Sequence, residues 1–400
     1  MSRFYFNIVV VHNPHTMELC YVYCRDLSDH NSEFHSLPLV RMAKILSEAH
    51  VSLHVIAVGE FDRSTLREQR VTVHRYDRWA PTLGIISLYL QLCVLTAYVG
   101  YREDIDGFSN IWAHYHLVPV LVAARILGMR VFARTFGMGT LWDRMAATRV
   151  LQITRPREML DTVLKRALNR AEAWLLNRTD GVYTNAETVR DRLVAQGVVP
   201  GHCTVVSQGV DTDFFRPGCV DRQPRILFVG RISAANKRLS DAYAVYRRLS
   251  SIRPDVSLVI AGDGTPPDHL QEKLEEENIV RLGYLDQHRL RTEYQRATLL
   301  LVTSEQEGVP NVVLEAQACG LPIVATAAGD ISRIIDESDG GIVQQVGDID
   351  SLTASAQTLF TDERCWQTHS KNARSYVEQH HAFDALREPY VEFFTASDHS

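Results

Sequence analysis

Short apolar runs rich in β-branched residues recur along the chain, at Tyr5 to Val11, His54 to Val58, Val131 to Arg134, Val182 to Thr184, Ile226 to Val229, Leu258 to Ala261, Leu299 to Val302 and Ile323 to Ala325. Stretches with helical spacing lie between them. Such alternation predicts βαβ units feeding parallel sheets. The runs are apolar throughout, the pattern of strands covered on both faces by helices. No internal repeat or low-complexity tract interrupts the series.

Four hundred residues exceed the usual size of a single core, so two α/β domains with a cleft between them are expected. The Pro/Gly/charged stretch from Phe215-Arg216-Pro217-Gly218 to Gln223-Pro224 marks a boundary, giving domains of 1–216 and 217–380. Beyond His381, the residues Phe383, Leu386, Tyr390, Val391 and Phe394 fall at helical spacing. They predict a final amphipathic helix within 381–400 that returns to cover the first domain. Leu83 to Tyr101 carries no charge and is long enough to test as a membrane span, but Ser87, Gln91 and Thr96 interrupt it. It reads as a helix packed in the N-terminal domain, with an interfacial helix as the alternative.

Composition changes this picture little. With 46% hydrophobic and 22% charged residues the chain is that of an ordinary globular protein, and a net charge of -6 argues against nucleic acid as a partner. Seven cysteines are scattered without zinc-like spacing, which fits a reducing compartment, and no metal site is expected. The apolar run after Met1-Ser2-Arg3 is short and ends in His12-Asn13-Pro14 rather than at a cleavage site. The expected location is therefore cytoplasmic.

The most informative segment runs from Ser304 through Glu307-Gly308-Val309-Pro310-Asn311 to Glu315-Ala316, leaving the strand Leu299 to Val302 and entering a helix in whose first turn Pro310 can sit. A helix N-terminus at the carboxyl end of a parallel strand presents N–H groups and a positive dipole end, which suits a diphosphate or a sugar hydroxyl. Glu307 before the helix and Glu315 about one turn inside it offer two carboxylates at different depths. A second element, Val229-Gly230-Arg231 to Asn236-Lys237, supplies cations for a diphosphate. Taken alone, Arg231 and Lys237 also read as solvated surface charges.

Together and in order these elements resemble the glycosyl transferases group 1 family, the retaining GT-B enzymes also described as glycosyltransferase family 4-like. The pieces are Gly209-Val210-Asp211 to Phe215-Arg216-Pro217, Val229-Gly230-Arg231, Ile260-Ala261-Gly262-Asp263-Gly264, Val280-Arg281-Leu282-Gly283-Tyr284, the pair Glu307 and Glu315, Gly320-Leu321-Pro322-Ile323-Val324-Ala325-Thr326, and Gly340-Gly341-Ile342-Val343. The resemblance implies two Rossmann-like domains, with the donor held by the second. It implies that Arg231 and Lys237 grip the donor diphosphate, Glu315 the nucleotide ribose and Glu307 the transferred sugar. Backbone N–H groups of Gly308, Val309, Pro310's neighbour Asn311 and their loop would meet sugar and phosphate, and main chain near Tyr284 would lie along the base. Arg231 to Lys237 is one residue longer than the family spacing, so Arg238 is the cation to test beside Lys237. Gly329-Asp330 stands where a Gly-Gly pair is common, and Arg333 where a glutamate often follows.

The N-terminal half departs further. The loop His12-Asn13-Pro14-His15-Thr16 has no glycines. Trp112-Ala113-His114-Tyr115-His116 is similar to the family's His-x-His at a strand end, with Trp112 in the first position and His114 in the second, beside the transferred sugar in relatives. A structural histidine bonded to a carbonyl is the other reading of His114. Arg144, Arg149, Arg155, Arg157, Lys165, Arg166, Arg170 and Arg178 form a basic run that reads as a solvated helix face or as a platform for anionic lipid or a pyrophosphate-linked acceptor.

The resemblance implies a sugar-nucleotide donor, no cofactor, and a glycan, lipid-linked or small-molecule acceptor, with surface polysaccharide or glycolipid as the product. Rivals are a GT-B epimerase or phosphorylase and a non-catalytic sugar-nucleotide-binding subunit.

Overall fold

The computed structural model describes residues 4–5, 17–22, 25–26, 41–42, 44–46, 51–58, 71–76, 84–103, 107–110, 117–135 and 158–395. Two compact units divide the chain, one of residues 1–208 with 386–400 and one of residues 209–385.

The first unit holds a parallel sheet of β1 (Met17–Val22), β2 (Val51–Val58), β3 (Val71–Tyr76), β4 (Gly107–Asn110), β5 (Arg130–Thr135), β6 (Gly181–Thr184) and β7 (Cys203–Val205). Their order is β3-β2-β1-β4-β5-β6-β7. Phe4–Tyr5 pairs antiparallel with Arg25–Asp26, residues 6–11 of the run from Tyr5 lie outside the described residues, and Met17–Val22 stands between β2 and β4 in the sheet. Glu18 had hidden this strand by breaking its apolar pattern. Helix α1 (Gly84–Arg102) packs against α2 (Leu117–Leu127). It buries Gln91, Leu92, Leu95, Thr96 and Val99 and exposes Leu90, Val94, Tyr98 and Tyr101. Gln91 and Thr96, which interrupt the apolar run, thus face inward. No described helix is long and apolar enough to cross a membrane.

The second unit repeats the arrangement with β8 (Arg225–Val229), β9 (Ser257–Ala261), β10 (Ile279–Gly283), β11 (Leu299–Val302), β12 (Ile323–Thr326) and β13 (Gly341–Gln344), in the order β10-β9-β8-β11-β12-β13. All pairs are parallel. Helix α3 (Leu239–Ile252) and a helix over Ile349–Thr361 cover one face of this sheet. Ala242, Val245 and Leu249 of α3 meet Leu352, Ala356 and Leu359 above Ile226, Phe228 and Leu258. Burying side chains of this kind contributes about 1.5–3 kcal/mol each before the ordering entropy is set against it.

The units divide at Gln208/Gly209, eight residues before the boundary read from the Pro217-Gly218 breaker. Backbone bonding decides this. Val210 N donates to His381 O at 2.8 Å, and the Arg374 guanidinium donates to the carbonyls of Thr212 and Phe215 at 3.1 and 2.8 Å. Pro217-Gly218 is a loop inside the second unit. The last helix spans Phe383–Thr395 and joins the first unit from Leu386 onward. Phe394 packs edge-on against Phe132 and Tyr183, with ring centroids 5.1 and 5.6 Å away, and Tyr390 Oη donates to Ser207 O.

Candidate functional site

In the second unit the strand order reverses between β8 and β11, and the loops leaving their carboxyl ends lie side by side. A crevice at such a switch point is where open α/β sheets bind ligands. The loop after β8 runs from Gly230 to Lys237, and the loop after β11 from Thr303 to Pro310. They are tied together: Glu305 N donates to Asn236 O at 2.8 Å, Asn236 Nδ2 to Gln306 O at 3.3 Å, and Thr303 Oγ1 to Lys237 O at 2.9 Å. Beneath them Thr326 Oγ1 donates to Ser304 O at 2.5 Å.

At the meeting point Lys237 Nζ lies 2.6 Å from Glu307 Oε1, with side chains only 19% and 14% exposed. A pair this sheltered is held by more than screened surface attraction. The Lys237 stem runs along Gly230, where φ is +154° and a Cβ would come within 3.3 Å of Lys237 Cε. Gly262 is tighter still. Its φ is +148°, and a Cβ there would lie 1.9 Å from Gly230 O, so only glycine lets the β8 and β9 ends approach this closely. Gly230 N donates to Ala261 O and Gly262 N to Gly283 O, linking the three strand ends.

Arg231 is exposed on the same loop and forms no side-chain hydrogen bond or ion pair among the described residues. Arg238 is engaged elsewhere. It sits in the left-handed region at φ 48°, ahead of α3, and its Nε donates to Asp241 Oδ2 at 2.7 Å, a bond that raises its pKa. Lys237 is thus the cation that reaches Glu307. Helix α4 (Asn311–Ala318) starts one residue after Pro310, which is its cap at φ -75° and ψ 131° rather than part of its first turn. No cap side chain covers its N-terminus. Gly308 is half-buried and Val309 and Pro310 buried, so this loop presents main chain more than side chain. Glu315 is 6% exposed, inside α4, and accepts from Tyr294 Oη at 3.2 Å. Tyr284, 40% exposed, follows β10 beside a cavity of about 450 Å³ lined by Ile232, Gly262, Asp263, Gly264, Arg281 and Gly283.

Two family models match in succession: that described as "Glycosyltransferase Family 4" over residues 39–214 and that described as "Glycosyl transferases group 1" over residues 223–362. The chain belongs to the glycosyl transferases group 1 family. Glycogen synthase of Mycobacterium tuberculosis is 28% identical over 222 residues, covering 53% of this chain and 53% of that protein. D-inositol 3-phosphate glycosyltransferase of a Mycobacterium species is 31% identical over 208 residues, covering 45% and 46%. The chain spans about half the length of the curated relatives it matches. Among solved structures, Anabaena HepE in complex with UDP-glucose superposes with a TM-score of 0.68 at 16% identity, covering 90% of this chain and 95% of that one. A glycosyltransferase from Rickettsia africae gives 0.72 at 14% identity, covering 92% and 96%. These likenesses show the GT-B fold.

In this group 1 chain the structure brings Lys237, Glu307 and the start of α4 together, places Glu315 deeper and leaves Arg231 at the surface. Trp112, His114 and His116 lie outside the described residues, as do Arg144, Arg149, Arg155 and Arg157. Of the basic run, Arg166, Arg170 and Arg178 are exposed, and the Arg178 guanidinium sits 3.4 Å from the centroid of the Trp174 ring. The sequence shows Gly329 only as half of an incomplete Gly-Gly pair; in the structure its φ is +58° and its backbone abuts the Glu307 carbonyl. Asp330, in the place of a second glycine, is 1% exposed and paired with Arg333 at 3.1 Å. The unbroken Leu-Leu-Leu-Val run followed by Thr303 was a usable signal for the polar tier under the site, because a threonine hydroxyl at a buried strand end seeks main-chain partners, as Thr303 Oγ1 finds in Lys237 O.

Proposed function

We propose that the chain is a retaining glycosyltransferase that moves a hexosyl group from a nucleotide-diphosphate sugar to a hydroxyl acceptor. The observation that carries this reading is the sheltered Lys237–Glu307 pair at the β8/β11 switch point, beside the uncapped N-terminus of α4. Before a donor binds, the two charges neutralise each other. A bound donor would offer its diphosphate to Lys237, Arg231 and the α4 N–H groups, and its sugar hydroxyls to Glu307. As the anomeric carbon–oxygen bond to the diphosphate breaks, negative charge grows on the leaving oxygen, and these fixed positive groups stabilise it. The acceptor oxygen bonds to the same face of the anomeric carbon and its proton passes to the departing diphosphate. Configuration is then retained without a carboxylate nucleophile.

HepE was solved with UDP-glucose, so UDP-sugars head the donor panel. Glycogen synthase among the relatives fits a polysaccharide product, and a glycolipid is the other product class. The test is turnover and product stereochemistry across a sugar-nucleotide panel, with Glu315→Gln and Arg231→Ala alongside. Each variant should lower kcat/KM at least about tenfold with little change in Tm. Donor binding without any transfer or hydrolysis would point to a non-catalytic binding subunit instead, and inverted product would refute retention.

We also infer a cytoplasmic enzyme acting at a membrane face. The exposed Leu90, Val94, Tyr98 and Tyr101 of α1 and the exposed Arg166, Arg170 and Arg178 support this reading. Sedimentation with anionic vesicles that is reversed by salt is expected; indifference to them at low salt would refute it.

A further inference from the structure

Away from the proposed donor site, the first unit brings together three side chains of types that ligate metal ions. His54 belongs to β2, His74 to β3, and Glu103 follows directly on α1. In the parallel register His54 stands opposite Thr72 and Ile56 opposite His74. The two histidines are therefore diagonal neighbours on one face of the sheet. Glu103 is held at the helix end by its backbone N–H, which donates to Val99 O at 2.9 Å.

His54 Nδ1 and His74 Nε2 are 3.0 Å apart, and the rings stack with centroids 5.3 Å apart and planes 19° from parallel. One ligand atom from each of His54, His74 and Glu103 lies within 4.8 Å of the other two. His54 is buried and the others are half-buried. Two nitrogens bound to one tetrahedral zinc at about 2.0–2.1 Å stand roughly 3.4 Å apart. The observed separation is already within a few tenths of an ångström of that value. A hydrogen bond between the imidazoles explains their contact but gives no reason for a carboxylate to converge on the same point.

We propose that His54, His74 and Glu103 form a three-ligand site for a divalent transition metal. The ligand set is two imidazoles and one carboxylate, which suits Zn²⁺ with water in a fourth position. To bind it, the imidazole that donates in the hydrogen bond shifts its proton to its other ring nitrogen, so that both present a lone pair and no net proton is released. The Glu103 carboxylate turns from Arg102, whose Nε is 3.4 Å away and whose side chain is 62% exposed. That exchange is cheap, because an exposed ion pair contributes little. The ion would fasten two adjacent strands to the end of α1. Sequence spacing does not reveal this site, since its ligands come from three separate segments.

The experiment uses the untagged full-length chain, stripped with a chelator and dialysed. Zn²⁺ is titrated in competition with a chromophoric chelator, and Co²⁺ substitution is followed by visible absorption. Expected are one equivalent of Zn²⁺ bound with a Kd of about 1 μM or tighter, Co²⁺ bands of a four-coordinate site, and a higher Tm with metal than without. His74→Gln should abolish that equivalent. Glu103→Gln keeps the histidine pair and should weaken Zn²⁺ binding at least about tenfold while leaving the metal-free Tm unchanged, so it decides the question even if the histidine variant fails to fold. A wild-type chain that binds no Zn²⁺ in the micromolar range, or a Glu103→Gln variant with unchanged affinity, overturns the proposal.

Discussion

Gly329→Ala separates the geometry of the proposed donor site from the stability of its unit. Gly329 has φ +58°, and a Cβ built on it would lie 1.7 Å from the Glu307 carbonyl oxygen and 2.8 Å from its carbonyl carbon. To reach even 3.0 Å, the Glu307 loop or the Gly329 turn must move by about 1.3 Å. Both atoms are backbone, so no side chain can swing aside. The loop that moves carries the Glu307 carboxylate bonded to Lys237 at 2.6 Å. A misplacement of about 1 Å costs on the order of 100-fold in rate. The left-handed backbone adds a strain of about 1–2 kcal/mol for any alanine. Gly128→Ala supplies the control: its φ is +72°, and its Cβ would meet nothing within 4 Å. We expect Gly128→Ala to lower Tm by a few degrees with kcat/KM within about threefold of wild type, since about 1 kcal/mol shifts Tm by roughly 2–4 °C in a unit of this size. Gly329→Ala should lower Tm further and kcat/KM by about 100-fold. A Gly329→Ala enzyme with wild-type kcat/KM would refute the role given to this loop, as would an equal activity loss in Gly128→Ala.

Lys237→Ala should lower kcat/KM at least about tenfold, whereas Arg238→Ala, which loses its bond to Asp241, should act mainly on Tm; steady-state kinetics and melting of both variants check this. If the proposed donor site is right, basic side chains and a helix N-terminus would face the diphosphate and turnover should survive excess EDTA; loss of activity restored by added Mg²⁺ would contradict it. Burial pulls His381 down to about 4 from 6.5, with the neighbouring charges of His380 and Arg333 acting in the same direction. Its folded pKa lies below the unfolded one, so the contribution to stability is complete above pH 6.5 and is lost as pH falls toward 4, by about 3 kcal/mol at most. Tm measured from pH 7 to pH 4 should therefore fall more steeply for wild type than for His381→Gln, and parallel curves would refute the assignment.

The sequence made the central strands and the loops after them legible, because β8, β9, β11 and β12 are apolar on both faces and the chemistry follows directly on their ends. Val71–Tyr76 and Ile279–Gly283 escaped that criterion for a physical reason. They are the edge strands of their sheets, and Thr72, Val280 and Arg281 are exposed, so no unbroken apolar run marks them. Lys237 and Glu307 could be named from motif order, but their direct contact could not, since it depends on how two loops 70 residues apart stack at the switch point. Gly329 was read only as half of an incomplete Gly-Gly pair. Its importance lies in the space between its backbone and that of Glu307, which residue type alone does not display.

The repeated strand order bears on His114. In the second unit the loops proposed to hold the donor leave the sheet at β8 and β11, the strands flanking the reversal. The first unit has the same order, and its flanking strands are β1 and β4. β4 ends at Asn110, so the chain reaches His114 four residues beyond the carboxyl end of a switch-point strand, where ligands of such sheets bind. We expect His114→Ala to lower kcat about 10- to 100-fold, the range for losing one polar group at a reacting centre, while donor Kd and Tm change little. If instead kcat is unchanged and Tm falls, His114 is a structural histidine, and the first unit contributes no side chain there to the transfer.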